Sequence, residues 1–329
     1  MLRGLHRFVA VAAIIVMAGA LLAGCQPKKP QTFKVAGLFP GPITDGGWSS
    51  TGYGVLKHLE KELGAEVAYM ENVAPGDMRE ALRDFAKRGF NFIYGHSFEF
   101  QDPIMDVAKE YPKVFFSSSG GLKFAANYFP MELCGEQAAY VQGIIAAMLS
   151  KTGRAGMIGS KNIPSIHKTF VGFRAGAQSV NPSFRVDITY VGAHDDVSGG
   201  YEAAMAHINN GADFLFENAN ATGLGAIQAA KEKGVYIFAG MADKTHLAPE
   251  AVLANNMIHI NAAYLLLAKN VKEGKLGTPG VAFMGFAQNA VELRWNPALK
   301  AKVPANVLAA AEKAIEDIKA GKIRVPTKD

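Results

Sequence analysis

From residue 33 onward, short runs rich in β-branched and aromatic residues alternate with longer amphipathic stretches, and this order restricts the fold more than any other feature. The spacing predicts strands at 33–39, 66–70, 92–95, 114–117, 155–158, 185–191, 214–216 and 235–239, separated by helices at 49–63, 76–88, 103–110, 133–151, 166–180, 198–209 and 224–233. Several helices stop at a glycine that a strand soon follows, as in Leu63-Gly64, Arg88-Gly89, Asn210-Gly211 and Lys233-Gly234, where glycine can take the left-handed cap. With no tight hairpin dipeptide between strands, the pattern reads as α/β with parallel sheets covered on both faces. The strand at 33–39 opens one unit, and the strand at 155–158 opens a second on the same plan. Past residue 252 a further strand, a helix at 260–273, a run at 280–286 and a last helix at 306–320 suit a tail that returns to both units. Ligands of such sheets sit beyond the carboxyl ends of the strands. The loops at 40–48, 96–102, 117–123, 159–165, 192–197, 217–223 and 240–246 are therefore expected to line a cleft, with hinge strands around 127–132, 240–256 and 283–288.

Before residue 33 the chain has a different character. Arg3 and Arg7 precede an apolar run at 8–22, and the small residues Ala23 and Gly24 come directly before Cys25, which is the anatomy of an exported precursor. The run is short for a membrane span, so residues 1–24 read as a signal peptide and 25–32 as a polar, proline-bearing tether. Leu22-Ala-Gly-Cys25 resembles the lipobox of bacterial lipoproteins, which implies diacylglycerol on Cys25 and a chain anchored to the cell membrane on its extracytoplasmic side. An ordinary signal peptide ending beside a cysteine is the plainer alternative. The formal charge of +5 includes Arg3 and Arg7, so the chain after removal of 1–24 is near +3. No basic block exceeds Lys28-Lys29, which argues against nucleic acid as a partner. With Cys25 assigned to the lipid, Cys134 has no partner for an internal disulfide and reads as a buried thiol rather than a nucleophile.

Residues able to hold a flat, polar-edged ligand collect in the predicted loops. Asp45-Gly-Gly-Trp48 follows the first strand and precedes a helix, putting an indole beside a carboxylate and free helix amides; packing of helix on sheet is the other reading of Trp48. Ser97 and Phe98 end the third strand, where the ring can stack and the hydroxyl can bond a ligand edge, unless the segment only packs and caps through Asp102-Pro103. In the second unit Asn218 can donate and accept, as a heteroaromatic edge requires, or simply make a turn. Met241 can fill one side of the pocket, and Asp243 offers another carboxylate unless it is paired with Lys244. Catalytic and cofactor signatures are weak. Gly223-Leu-Gly225 has Gln228 where a dinucleotide fingerprint needs its third glycine, and His194-Asp195-Asp196 reads as a solvated loop rather than a metal site. A non-enzyme without cofactor or metal is the expectation.

A more specific resemblance spans about 33–286. Asp45-Gly-Gly-Trp48, Tyr69-Met-Glu-Asn-Val73, Ser97-Phe98 with Asp102-Pro103, the segment from Glu136 to Gly159, Gly172-Phe-Arg-Ala-Gly176 and Gly211-Ala-Asp213 are similar to the basic membrane protein family, the purine nucleoside receptor-like lipoproteins. The resemblance implies a type I periplasmic-binding-protein fold, with one lobe from 33–129 plus 256–284 and the other from 130–255 plus 285–329. It further implies a small purine ligand and an ABC permease as partners. Nucleoside-binding members clamp the base between aromatics and hold the ribose on an aspartate. Here Trp48-Ser49 replaces the usual Phe-Asn, Ala242 falls where that aspartate would be, and the later-strand lysine is not evident near 255–259. Unpaired ribose hydroxyls are costly to bury, so a purine base such as adenine is the expected ligand. A ligand-reporting sensor and a nucleoside hydrolase using Asp45 or Asp243 are the rival functions.

Overall fold

The computed structural model describes residues 32–44 and 48–329. The expected signal peptide, Cys25 as the expected lipid site, most of the expected tether and the candidate Asp45 lie outside the described residues. The body from Lys34 to Asp329 is built on two main sheets. The first has the order β2 (Glu66–Met70), β1 (Lys34–Leu38), β3 (Phe92–Gly95), β4 (Phe115–Ser118), all parallel. The second runs β12 (Val291–Trp295), β10 (Val252–Ile258), β9 (Tyr236–Met241), β8 (Phe214–Asn218), β6 (Arg154–Gly159), β7 (Arg185–Tyr190). Its β7-β6-β8-β9 portion repeats the β2-β1-β3-β4 order, so the two halves do share one plan.

Helices α1 (Trp48–Leu63), α2 (Met78–Lys87) and α3 (Gln101–Glu110) connect the first sheet; α4 (Gly135–Leu149) leads into the second, where α5 (Pro164–Val180), α6 (Val197–Asn209) and α7 (Thr222–Lys233) are the crossovers. The four glycines expected to end helices, Gly64, Gly89, Gly211 and Gly234, all have positive φ. Completely buried Phe92 and Ile93 lie between helix layers in the first sheet, and Phe214, Phe216 and Phe238 pack with Phe173 in the second. Truncating one of these rings to alanine would cost about 3–5 kcal/mol. The helix pairs α4/α5 and α6/α7 touch backbone to backbone. A Cβ on Gly143 would lie 2.0 Å from the carbonyl oxygen of Phe173, one on Gly176 1.9 Å from that of Tyr140, and one on Gly225 1.9 Å from that of Val197. Gly225, half of the weak dinucleotide signal, is thus explained by helix packing.

Three segments connect the halves. β5 (Met131–Leu133) and β11 (Ala282–Met284) form a parallel two-stranded ribbon, and residues 258–260 lead from β10 into α8 (Ile260–Glu273), which packs on α1. The stretch 240–256 is not a connector, because β9 and β10 pair within the second sheet. Two other boundaries differ from expectation. Residue 133 belongs to β5 rather than a helix, since the ribbon pairing with β11 captures it before α4 starts at Gly135. β12 pairs antiparallel with β10 at the edge of the second sheet, a departure from the all-parallel expectation. The chain ends in α9 (Pro297–Lys300), capped by Asn296, and α10 (Ala305–Lys319), which packs on α4.

Candidate functional site

In the first sheet, β1 leads outward to β2 on one side while its other neighbour, β3, leads to β4, so the loops after β1 and β3 diverge at a topological switch point. Trp48 and His96 stand there. The Trp48 Nε1–H donates to the His96 carbonyl at 2.8 Å, and the indole stacks on the His96 ring with centroids 4.2 Å apart and planes 21° from parallel. One face of the indole is thereby occupied, yet Trp48 stays 39% exposed. The buried His96 is itself held: its Nδ1 bonds the Ser119 hydroxyl at 2.8 Å, which bonds Tyr264 of α8 at 2.7 Å. Gly52 makes room for this ring, since a Cβ there would fall 2.5 Å from His96 Cδ2.

Ser97 and Phe98 follow directly. The Ser97 hydroxyl accepts from the Glu99 amide at 3.3 Å and caps a short 3-10 turn at Phe98–Phe100, so its first role is local. The Phe98 ring is 61% exposed, which excludes the plain packing alternative for this residue. Asp102 does not cap the helix; it lies in the first turn of α3 and pairs with Lys123 at 2.8 Å.

The second sheet has its own switch point between β6 and β8. Asn218, buried at the end of β8, donates to Thr169 of α5 at 3.2 Å. Beside it the completely buried Glu217 receives the Gly240 amide at 2.9 Å and the Lys244 ammonium at 2.7 Å on one oxygen, and the Ala219 amide at 3.2 Å on the other. This carboxylate ties together the ends of β8 and β9. Gly223 clears its space, because a Cβ there would meet the carboxylate at 2.1 Å. Met241 has φ 72°, left-handed for a residue with a side chain, and remains 38% exposed. Such a conformation costs on the order of 1–3 kcal/mol and is typical of functional loops. Asp243 is not paired with Lys244. It accepts the Thr245 amide at 3.0 Å and the Asn255 amide group at 3.3 Å, and Arg294 lies 3.9 Å away. The Thr245 N–H chiefly holds its carboxyl below the usual range.

The structure therefore places all six described candidates at the carboxyl ends of strands, three on each sheet. Among the described residues no hydrogen bond or ion pair joins Trp48, Ser97 or Phe98 to Asn218, Met241 or Asp243. Sequence reasoning missed His96, Ser119 and Tyr264 as the support of the indole, and Glu217 as the brace of the second rim. Cys134 is buried, with burial pushing its thiol up to about 12. Among the described residues no three His, Cys, Asp or Glu side chains cluster to hold a metal, and no helix is long and apolar enough to cross a membrane. A cavity of about 330 Å³ lies elsewhere, beside His259, Phe286, Glu292 and Lys319 where β12 meets α10.

Residues 32–327 match the profile of the family described as ABC transporter substrate-binding protein PnrA-like. The chain belongs to this Bmp family. Among its relatives, a purine-binding protein of Brucella abortus is 32% identical over 94% of this chain and 87% of its own length. The transcriptional activator protein med of Bacillus subtilis is 31% identical over 78% of this chain and 81% of its own. An ABC transporter solute-binding protein of Conexibacter woesei has a solved structure that superposes with TM-score 0.68 at 25% identity, covering 90% of this chain and 99% of that one. This Bmp protein thus has the type I solute-binding architecture that its motifs implied, and its family is one of substrate-binding proteins rather than enzymes.

Proposed function

We propose that this Bmp protein is a lipid-anchored receptor, tethered through Cys25, that captures a purine base, adenine favoured, and delivers it to an ABC permease. Its two lobes, 33–129 plus 256–284 and 130–255 plus 285–329, close over the ligand. The observation that carries the reading is the indole of Trp48, fixed on one face by His96 at the first switch point and partly exposed. A flat heterocycle can stack on such a surface. Phe98 supplies a second ring, Asp45, Ser97, Asn218 and Asp243 bond the ligand edge, and Met241 fills one side. Ala242 in place of a ribose-holding carboxylate favours a base over its nucleoside. The purine-binding relative adds support. Calorimetry with adenine, hypoxanthine and adenosine tests the proposal: tight binding of a base with weaker binding of the nucleoside is expected, and no purine binding refutes it.

A second reading has one observation behind it, the similarity to a transcriptional activator. In that case the liganded form reports to a regulatory partner. Ligand-dependent uptake in a permease deletion strain separates the two, since a transport receptor loses function with its permease. The hydrolase alternative, with Asp45 or Asp243 as its carboxylate, requires turnover; incubation with nucleosides should release no free base.

A further inference from the structure

The β5/β11 ribbon carries two residues that its connecting role does not explain. Its register pairs Phe283 with Glu132, which puts both side chains on one face, while Met131 and Met284 on the other face are buried. Phe283 is 59% exposed, so its phenyl ring is open to solvent at the junction of the two halves. The ribbon sits at the carboxyl end of the first sheet, because Ser119 bridges to Met131 just past β4 and the Gly120 amide donates to the Met131 carbonyl at 2.7 Å. The Glu132 carboxylate then spans the halves. One oxygen accepts the Gly121 amide at 2.9 Å, and the other receives the ammonium of Lys168, on α5 of the second half, at 3.1 Å. Lys168 also donates to the Leu133 carbonyl at 2.8 Å and stands 3.5 Å from Glu136. Phe98 is a close neighbour, since a Cβ built on Gly120 would be 3.6 Å from both Phe98 Cβ and a Glu132 carboxylate oxygen.

We propose that Glu132 and Phe283 form the floor of the ligand cleft. The carboxylate accepts an N–H from the edge of a heterocyclic base, and the phenyl ring supplies an apolar surface beside it. An ionised carboxylate has about four acceptor positions. Gly121 and Lys168 use two, and the side chain keeps 21% of its surface exposed. Because this group can only accept, it selects ligands that bring a donor, such as a ring N–H or an exocyclic amino group. An aromatic ring at its side favours a flat ligand over a saturated one. The inference deepens the purine reading and rests on it, adding two contacts from the connector to those from the strand-end loops.

Calorimetry on the wild-type chain, Phe283→Ala, Glu132→Gln and Trp48→Ala tests it, with adenine, 6-methylpurine and 9-methyladenine as probes. Phe283→Ala should weaken all three at least fivefold without lowering the unfolding temperature, because so exposed a ring supports little of the core. Glu132→Gln should weaken most the probes that keep the N–H it contacts, so that the spread of affinities among the three narrows. Unchanged binding by Phe283→Ala, or an equal loss on all three probes in Glu132→Gln as a structural role would give, overturns the corresponding half of the proposal. Purine binding that survives both changes but is lost in Trp48→Ala overturns this floor alone. A wild-type chain that binds none of the probes removes the floor and the purine reading together.

Discussion

Replacing Trp48 with alanine separates what the indole does for the fold from what it does for the ligand. In the free protein the change removes the Nε1 hydrogen bond to His96 and the stack on the His96 ring. Each is worth roughly 1 kcal/mol, so a stability loss of about 2 kcal/mol is expected. In the proposed complex one further stacking face is lost, because His96 already covers the other. Base stacking on an aromatic residue contributes about 1–3 kcal/mol by alanine substitution, and 1.4 kcal/mol corresponds to tenfold. Purine affinity should therefore fall about 5- to 150-fold, measured by isothermal calorimetry well below the unfolding transition. Trp48→Phe is the control. It keeps a ring but has no N–H for the His96 carbonyl, so it should recover most of the affinity while retaining about half of the stability loss. Undiminished affinity in Trp48→Ala, with stability reduced as expected, would refute the argument from stacking.

Three other outcomes follow from features away from the indole. Gly176→Ala forces a Cβ to within 1.9 Å of the Tyr140 carbonyl and should cost more than about 3 kcal/mol in urea unfolding, whereas Gly54→Ala, with nothing within 4 Å, should be neutral or stabilising. Met241→Gly relieves the left-handed conformation and should raise stability by about 1 kcal/mol, while ligand affinity falls as the side chain leaves the rim; lower stability in denaturant titration would contradict the strain. Burial holds the His207 imidazole below its ordinary 6.5. The unfolded chain therefore takes up the proton first, and this contribution to stability, present above the ordinary value, is lost as pH falls below it. His207→Gln should flatten the fall in unfolding free energy between about pH 6.5 and 5 relative to wild type; identical slopes would sink the assignment.

Much of the architecture could be read directly from residues. The alternation of strand and helix and the glycine stops placed every parallel strand of the two large sheets within a few positions, because both signals are local. What escaped was non-local. The hinge strands expected around 127–132 and 283–288 overlap β5 and β11, but no local signal shows that β5 runs on to Leu133 or that it pairs with a segment about 150 residues later in the chain. β12 runs antiparallel and follows β11 through a short 3-10 turn, with no helix directly before it. Within the site, the strand-end positions of Trp48, Phe98 and Asn218 were legible from the rule that places ligands at carboxyl ends. The brace under them was not. Nothing local connects His96 and Ser119 with Tyr264, and a glutamate in an apolar strand such as Phe214–Asn218 has no sequence mark to show that its oxygens will bind the next strand's amide and a lysine.

That buried glutamate has a consequence for how the second half can respond to a ligand. Anchored through Glu217, the tips of two neighbouring strands and the lysine just past the second of them cannot rearrange separately without stranding a charge in a dry interior. Under the proposed closure, adaptation on this side comes from movement of the half as a unit, and a strand tip fixed in this way leaves little ordering entropy to lose when a guest docks.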